Sequence, residues 1–212
     1  MTAMQKRDAA AKRLIWDLPT RVFHWALAGS FLGAYLLAEQ DELRSFHVMF
    51  GYTVLGLVVF RLVWGLTGTR YAQFRSFMYR PREMAGYVRG LLRGDRPRYV
   101  GHNPAGSLAI WAILILAGLT GLSGYATYNE FGGDALEEVH EFLANAWLMV
   151  VGMHIAGVVV SSLLDHENLA RAMITGYKRA EPAAAIRSGL YGLGSLVLIS
   201  VLGFWGWTLV AT

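Results

Sequence analysis

Two histidines, His140 and His154, lie 14 residues apart in an apolar stretch that ends at Leu164. At about 100° and about 1.5 Å per residue, that spacing returns a helix to within about 40° of the same face, about 21 Å further along its axis. Both imidazoles therefore point to one side of one helix, near opposite surfaces of a bilayer about 30 Å thick. Ionisable side chains inside a membrane span are costly, so this pair indicates a functional site.

The composition predicts an all-α integral membrane protein. Of the 212 residues 55% are hydrophobic and 16% are charged, whereas soluble domains carry about 25% charged residues. Too little polar sequence remains to cover the core of a soluble bundle. Five apolar stretches are near the length of about 20 residues that a helical span needs. The predicted spans are residues 20–38, 47–66, 105–127, 140–164 and 190–211.

The order of these stretches divides the chain into three parts. Residues 1–15 are predicted to be a polar cytoplasmic tail, residues 16–180 a unit with the first four spans, and residues 181–212 a C-terminal segment with the fifth span. The first span has no convincing cleavage site before or after it, which predicts a retained helix rather than a signal peptide. The absence of cysteine excludes disulfides, thiolate-bound iron–sulfur clusters and covalent haem attachment through C-x-x-C-H.

The distribution of charge predicts the orientation in the membrane. Basic residues are concentrated before the first span and in the loops after the second and fourth spans. The other two connections are acidic, with Arg44 as the exception; they contain Glu39, Asp41, Glu42, Glu130, Asp134, Glu137 and Glu138. By the positive-inside rule, the N-terminus is cytoplasmic and the C-terminus is periplasmic. Topology accounts for the basic loops, so we do not expect a nucleic-acid partner.

Depth in the membrane sorts four histidines into two layers. His24 begins an outward helix and His154 lies deep in an inward one, so both are predicted toward the cytoplasm. His47 and His140 begin inward helices, so both are predicted toward the outside. Each pair comes from two helices, which is the arrangement that holds a macrocycle between two imidazoles in a bundle core.

Other roles for these histidines stay open at this point. Each imidazole could bind a neighbouring carbonyl, or the four could serve a metal ion or a proton path. Zinc usually needs three or four converging ligands, and proton relays usually use carboxylates within the spans. Each predicted layer offers two histidines, and Glu141 at the surface is the nearest carboxylate.

Three further titratable residues accompany the two layers. Arg61 follows His47 by 14 residues and shares its helix face, toward the cytoplasmic side. A buried arginine needs an anion, which a haem propionate could provide; snorkelling of Arg61 to the interface is the alternative. His102 and His166 lie outside the predicted spans, and we expect both at the surface, with a role at a quinone or partner site left open.

These residues resemble the bacterial cytochrome b561 family, which includes the b-type cytochrome subunits of nickel–iron hydrogenases. The resemblance covers residues 14–180. It rests on His47 with Arg61 and Trp64-Gly65, and on three runs: Trp16-Asp17-Leu18-Pro19-Thr20-Arg21-Val22-Phe23-His24-Trp25, Gly101-His102-Asn103-Pro104 and Met173-Ile174-Thr175-Gly176-Tyr177-Lys178-Arg179. It implies a four-helix core with two non-covalent b haems, whose irons are ligated by His24 with His154 and by His47 with His140.

The resemblance also implies a function in the inner membrane. A cytochrome of this family passes electrons between the quinone pool and a redox partner, such as a periplasmic cytochrome or a hydrogenase-like protein. With both axial positions of iron filled, electron transfer is favoured over catalysis at the metal. Two alternatives remain: a stand-alone oxidoreductase that passes electrons from a small donor such as superoxide to quinone, and a haem-free membrane anchor.

Overall fold

Seven α-helices and one two-stranded sheet form the part of the chain that this computed structural model describes, residues 11–94 and 97–211. The helices are α1 (Leu18–Leu36), α2 (Arg44–Thr67), α3 (Pro81–Leu92), α4 (Pro104–Tyr128), α5 (Gly133–Asp165), α6 (Leu169–Thr175) and α7 (Tyr191–Ala211). The antiparallel strands are β1 (Lys12–Leu14) and β2 (Tyr177–Arg179), and the 3₁₀ helices are Asp41–Leu43, Phe74–Ser76 and Pro182–Ala184. Residues 1–10 of the predicted tail lie outside the described residues.

Each of the five predicted spans corresponds to one long helix. Four segments are long and apolar enough to cross a bilayer, namely Asp41–Thr67, Pro104–Tyr128, Gly133–Asp165 and Tyr191–Ala211. Helix α1, the remaining predicted span, has 19 residues, which is close to the length required. It is less apolar than the other four because Arg21 and His24 lie in its first half. These helices make the chain a membrane helical bundle.

Helix α5 begins earlier than the sequence predicted. The expected start was residue 140, but the helix starts at Gly133 and has 33 residues. Its extra turns consist mainly of good helix formers. The negative charge of Asp134 in the first turn interacts favourably with the positive end of the helix dipole. At about 1.5 Å per residue the helix is about 50 Å long, so it projects beyond a hydrocarbon core about 30 Å thick.

The long helices pack in the order α7, α1, α2, α4, α5, each against the next. Helices α1 and α5 meet mainly through side chains, which close the four-helix core. Phe31 of α1 packs on Trp147 of α5 with ring centroids 4.2 Å apart. The hydroxyl of Tyr35 donates to Oδ1 of Asn145 over 2.8 Å. The interior between these helices is the place that the predicted histidine layers must occupy.

Helix α7 lies on the outside of the four-helix core, against α1 and α2. The indole Nε1 of Trp205 donates to Oγ1 of Thr53 over 2.9 Å, and its ring packs edge-on against Phe50. Gly194 allows α7 to approach α1 closely, because a Cβ at that position would lie 2.4 Å from a side-chain carbon of Leu18. The fifth span is therefore a packed addition to the core, as predicted.

The two strands cover one end of the bundle, which we call the sheet end; the opposite end is the far end. Gly176 has a φ of +88°, and its carbonyl accepts hydrogen bonds from the backbone N–H groups of Ile15 and Trp16. Ile15 is fully buried. Residues 12–15 of the predicted polar tail are therefore part of the folded body, because backbone pairing with β2 satisfies their polar groups while Ile15 enters an apolar cluster.

Asp17 fastens the start of α1 to the end of α2. The carboxylate is fully buried; Oδ1 accepts from the backbone N–H of Thr20 over 2.7 Å, and Oδ2 accepts from the hydroxyl of Thr69. Pro19 occupies the first turn, where no N–H is needed. One aspartate therefore satisfies a helix terminus and links two helices that position predicted site residues.

We expect Asp17→Ala to lower the free energy of unfolding by about 2 kcal/mol or more, because a helix cap and a buried hydrogen bond are lost together. Thr69→Val removes one of these bonds and should cost about 1 kcal/mol. The control is Thr67→Val, whose exposed hydroxyl binds only a carbonyl of its own helix. Thermal unfolding in detergent measures all three, and equal midpoints for Asp17→Ala and Thr67→Val would contradict this role.

Candidate haem sites in the bundle core

The outer pair of histidines meets inside the core near the far end. His47 of α2 and His140 of α5 have ring centroids 6.1 Å apart, with an interplanar angle of 81°. Two imidazole nitrogens bound to one metal at about 2 Å each place the ring centroids about 6 Å apart, so the observed separation fits one ion between them. The distance between the rings is thus compatible with the pairing of His47 and His140 that their depth in the membrane predicts.

Backbone carbonyls orient both outer rings. Nδ1 of His47 lies 2.8 Å from the carbonyl oxygen of Ala34, and Nδ1 of His140 lies 3.0 Å from that of Thr120. A carbonyl can only accept, so Nδ1 carries the proton in each ring and Nε2 keeps its lone pair. A ligating histidine usually has this arrangement, with its other nitrogen held by a hydrogen bond.

Two small residues of α4 make room for the His140 ring. Ser123 Oγ lies 3.1 Å from Nδ1 of His140. A Cβ at Gly124 would lie 2.7 Å from Cε1 of the same ring, closer than van der Waals contact permits. This close approach explains part of the glycine enrichment in α4 and fixes the depth at which the His140 ring lies.

The inner pair is more open than the outer pair. His24 of α1 and His154 of α5 are near enough for their charges to interact, but among the described residues their rings form no direct contact. His24 packs edge-on against Trp25, with centroids 4.9 Å apart. Its Nδ1 is enclosed and has no hydrogen-bond partner in the described part of the chain. An enclosed imidazole nitrogen without a partner fits a site that a ligand completes.

Arg61 is buried rather than snorkelling to the interface. The residue is 3% exposed, and its guanidinium carbon lies 4.8 Å from the ring centroid of Phe74, 5.7 Å from Phe77 and 5.9 Å from Phe23. Aromatic faces attract the cation. Nη1 has no hydrogen-bond partner within residues 11–94 and 97–211. The guanidinium thus retains the capacity to bind an anion.

Trp147 lies between the two histidine layers and was not identified from the sequence. It is 3% exposed, the only residue of α5 in the buried class, and its Nε1 has no partner among the described residues. The available signal was spacing, because residue 147 is seven steps from both His140 and His154. Seven steps turn a helix to within about 20° of its starting face. Residue 147 therefore lies on the helix face of both histidines, midway between them.

His102 is not the surface residue that the sequence suggested. Its ring packs between Trp16 and Phe77, with centroids 4.8 Å from each, and Nδ1 is enclosed. Burial lowers the pKa of His102 from 6.5 to about 3, so the ring is neutral at pH 7. The position directly before the Asn103 cap of α4 brings it against the bundle. His166 is exposed, as predicted.

The arrangement argues against a metal ion whose ligands all come from the protein. Within the described ranges, no three His, Asp or Glu side chains converge on one point, whereas zinc usually takes three or four ligands. Pairs of histidines from two helices instead suit a planar macrocycle that provides the remaining metal ligands itself.

Comparison with known proteins agrees with this geometry. Residues 15–176 match the family described as "Prokaryotic cytochrome b561". A relative from Escherichia coli K12, named "Probable Ni/Fe-hydrogenase 1 B-type cytochrome subunit", is 20% identical over 82% of this chain and 94% of its own length. "Probable Ni/Fe-hydrogenase B-type cytochrome subunit" proteins from Azotobacter vinelandii and Cupriavidus necator are 23% and 24% identical, each over 77% of this chain, and over 87% and 86% of their own lengths.

No solved structure matches the chain at a significant level. The family match nevertheless covers the four-helix core from Ile15 to Gly176, including both histidine layers and Arg61. The extent of the match and the bundle that it covers show that this chain is a multi-pass membrane cytochrome of the b type and belongs to the prokaryotic cytochrome b561 family.

Proposed function

We propose that this cytochrome carries electrons across the bacterial inner membrane through two non-covalent b haems, between the quinone pool and a redox partner. His47 and His140 would ligate the outer haem iron, and His24 and His154 the inner one. The single observation that supports this most is the outer pair, whose rings lie 6.1 Å apart with both Nδ1 atoms engaged by carbonyls. Haem, when bound, supplies one-electron chemistry at iron.

The protein side chains have separate tasks in this proposal. His24 with His154 and His47 with His140 would hold the two haem irons, which would supply one-electron transfer rather than a binding place for oxygen or substrate. Arg61 offers a buried positive charge to a propionate, and the three phenylalanine rings around it exclude water. Trp147 and Phe31 fill the space between the layers with aromatic carbon. No titrating side chain needs to lie on the electron path.

The orientation in the membrane follows from the exposed charges. Among the described residues, the arginines of the loops at the sheet end are exposed, as are the carboxylates at the far end. By the positive-inside rule, the sheet end and the N-terminus face the cytoplasm, and the far end and the C-terminus face the periplasm. The layer of His24 and His154 is then cytoplasmic, and the layer of His47 and His140 is periplasmic.

The far end also suggests the character of the partner. Helix α5 carries Asp134, Glu137 and Glu138 as exposed carboxylates, and Glu130 precedes it. Such a surface steers a basic soluble protein toward the outer haem. Because the relatives are named as hydrogenase cytochrome subunits, a periplasmic hydrogenase or cytochrome is the partner that we propose.

The two alternative functions have less support. Exposed carboxylates at the far end repel superoxide, which is an anion, so that a stand-alone oxidoreductase fed by this donor is disfavoured. Membership of a b-type cytochrome family argues against a haem-free anchor. Both alternatives can be tested directly, because a purified anchor would show no haem spectrum and a stand-alone enzyme would turn over without a partner protein.

We expect two acid-extractable haems per chain, measured as pyridine haemochromes against protein concentration. His47→Ala and His140→Ala should lose the same haem, and His24→Ala and His154→Ala should lose the other. The absence of cysteine makes both haems extractable. A haem-saturated protein with one haem, or identical residual spectra for His47→Ala and His154→Ala, would refute the two-layer assignment.

Substitution of Arg61 tests, in the same experiment, whether this residue lies at the depth of the inner haem. Arg61→Leu should alter the spectrum and potential of the inner haem alone, because the guanidinium lies on the helix face of His47 but 14 residues deeper. Arg61→Lys keeps the charge and should preserve more of the wild-type behaviour. A change confined to the outer haem would contradict the position that we assign to Arg61.

Neutralising the far-end carboxylates should slow reaction with a basic redox partner. We expect Glu137→Gln/Glu138→Gln to reduce the second-order rate of electron exchange with a basic cytochrome about threefold to tenfold at low ionic strength, and less at high salt. Glu181→Gln, an exposed carboxylate at the sheet end, is the control. Stopped-flow absorbance measures the rates, and equal rates for the double variant and wild type would exclude this docking surface.

A further inference from the structure

Two enclosed nitrogen atoms near the inner layer lack partners, and both belong to side chains that flank Phe77. The guanidinium carbon of Arg61 is 5.7 Å from the ring centroid of Phe77. The imidazole of His102 lies on the same ring with centroids 4.8 Å apart. Phe77 is fully buried. Nη1 of Arg61 and Nδ1 of His102 are each enclosed and unpartnered within the described residues.

The protein offers these two groups no anion of its own. The nearest buried carboxylate is Asp17, but both of its oxygens are engaged, by the N–H of Thr20 and the hydroxyl of Thr69. In the described part of the chain no carboxylate forms a salt bridge with Arg61. A buried donor without a partner costs about 1–3 kcal/mol, and more when it is charged. Nη1 of Arg61 is such a donor, and Nδ1 of His102 is a second when the neutral ring carries its proton on that nitrogen. A ligand with acidic oxygens would satisfy both atoms.

We propose that Arg61 and His102 bind the two propionate groups of the inner haem, which makes His102 a positioning residue for that cofactor. This inference rests on the proposed function, because it requires a haem between His24 and His154. A haem carries its two carboxylates side by side on one edge, and Arg61 and His102 both lie against the ring of Phe77. His102 is close enough to both inner histidines, and to Arg61, for their charges to interact.

The surroundings of His102 suit the charged edge of a haem. His102 lines an open pocket of about 440 Å³ at the sheet end, together with Arg70, Tyr79, Tyr99 and Glu181. The hydroxyl of Tyr79 donates to the carbonyl oxygen of His102 over 2.9 Å and fixes the backbone there. His102 thus borders a water-accessible pocket, while its Nδ1 is enclosed. Carboxylates at this boundary keep access to water while the macrocycle remains in the apolar core.

Substitution of His102 in the haem-loaded protein tests the inference. His102→Leu removes the donor, so we expect the inner haem to transfer to apomyoglobin about tenfold faster or more, which corresponds to the loss of one charge-assisted hydrogen bond. Its midpoint potential should shift downward, because an unpaired carboxylate favours ferric iron, while the outer haem stays unchanged. His166→Gln, an exposed histidine outside both layers, is the control.

Two conservative variants, His102→Asn and His102→Gln, identify which imidazole nitrogen is involved. They also test the inference if His102→Leu folds poorly. The amide nitrogen of asparagine can occupy the position of Nδ1, whereas that of glutamine reaches the position of Nε2. We therefore expect His102→Asn, but not His102→Gln, to restore slow loss of the inner haem. Unchanged kinetics and potential in His102→Leu, a shift of the outer haem, or rescue by glutamine alone would each overturn the inference. A wild-type protein without an inner haem would instead refute the two-haem proposal itself, before any His102 variant is compared.

Discussion

An imidazole inside a membrane bundle must satisfy its two nitrogens without water, and this constraint accounts for much of the core. At the outer layer the protein satisfies one nitrogen of each ring with a backbone carbonyl, from Ala34 and from Thr120. The two rings themselves lie in the core with their centroids 6.1 Å apart. The carbonyls belong to α1 and α4, so the histidine pair depends on all four core helices even though α2 and α5 carry the rings.

The two layers differ in how far the protein completes them. The outer rings are held by backbone atoms, with Ser123 and Gly124 shaped around one of them. At the inner layer, enclosed nitrogen atoms of His24, Arg61 and His102 have no partner among the described residues. A preorganised site loses little entropy when it binds its ligand, whereas an incomplete site gains more of its order from the ligand. We therefore expect the outer haem to bind to a core that is already formed, and the inner haem to order its own surroundings.

Much of the fold could be predicted from the sequence, because the length of each apolar stretch and the charges of the loops beside it are visible in short segments of the chain. The five long helices and the packing of the fifth helix outside the core follow from such patterns. The sequence alone could not distinguish an early start of α5 from an acidic loop at residues 133–139, because the glutamates there are compatible with either structure. The strand formed by residues 12–14 depends on pairing with residues 177–179, a contact between distant segments that no local pattern encodes.

The sequence could suggest site residues only where the spacing along a helix, or the depth in the membrane, places them near one another. Depth in the membrane predicts the pair His47 and His140, and spacing predicts that Arg61 shares the helix face of His47. Trp147 was overlooked although its heptad spacing was available, because tryptophan is common in apolar helices without a specific role. His102 was expected at the surface because it lies outside the spans; its burial arises from Trp16 and Phe77, which come from two other segments.

The central claim is that the two layers act in series across the membrane, and vectorial electron transfer tests it most directly. In proteoliposomes of known orientation, a reductant trapped on one side should reduce an impermeant acceptor on the other side. Loss of the inner haem through His154→Ala, or of the outer haem through His47→Ala, should abolish this transfer. Transfer that persists at the wild-type rate in His154→Ala would contradict the account, because the inner layer would then not be part of the path.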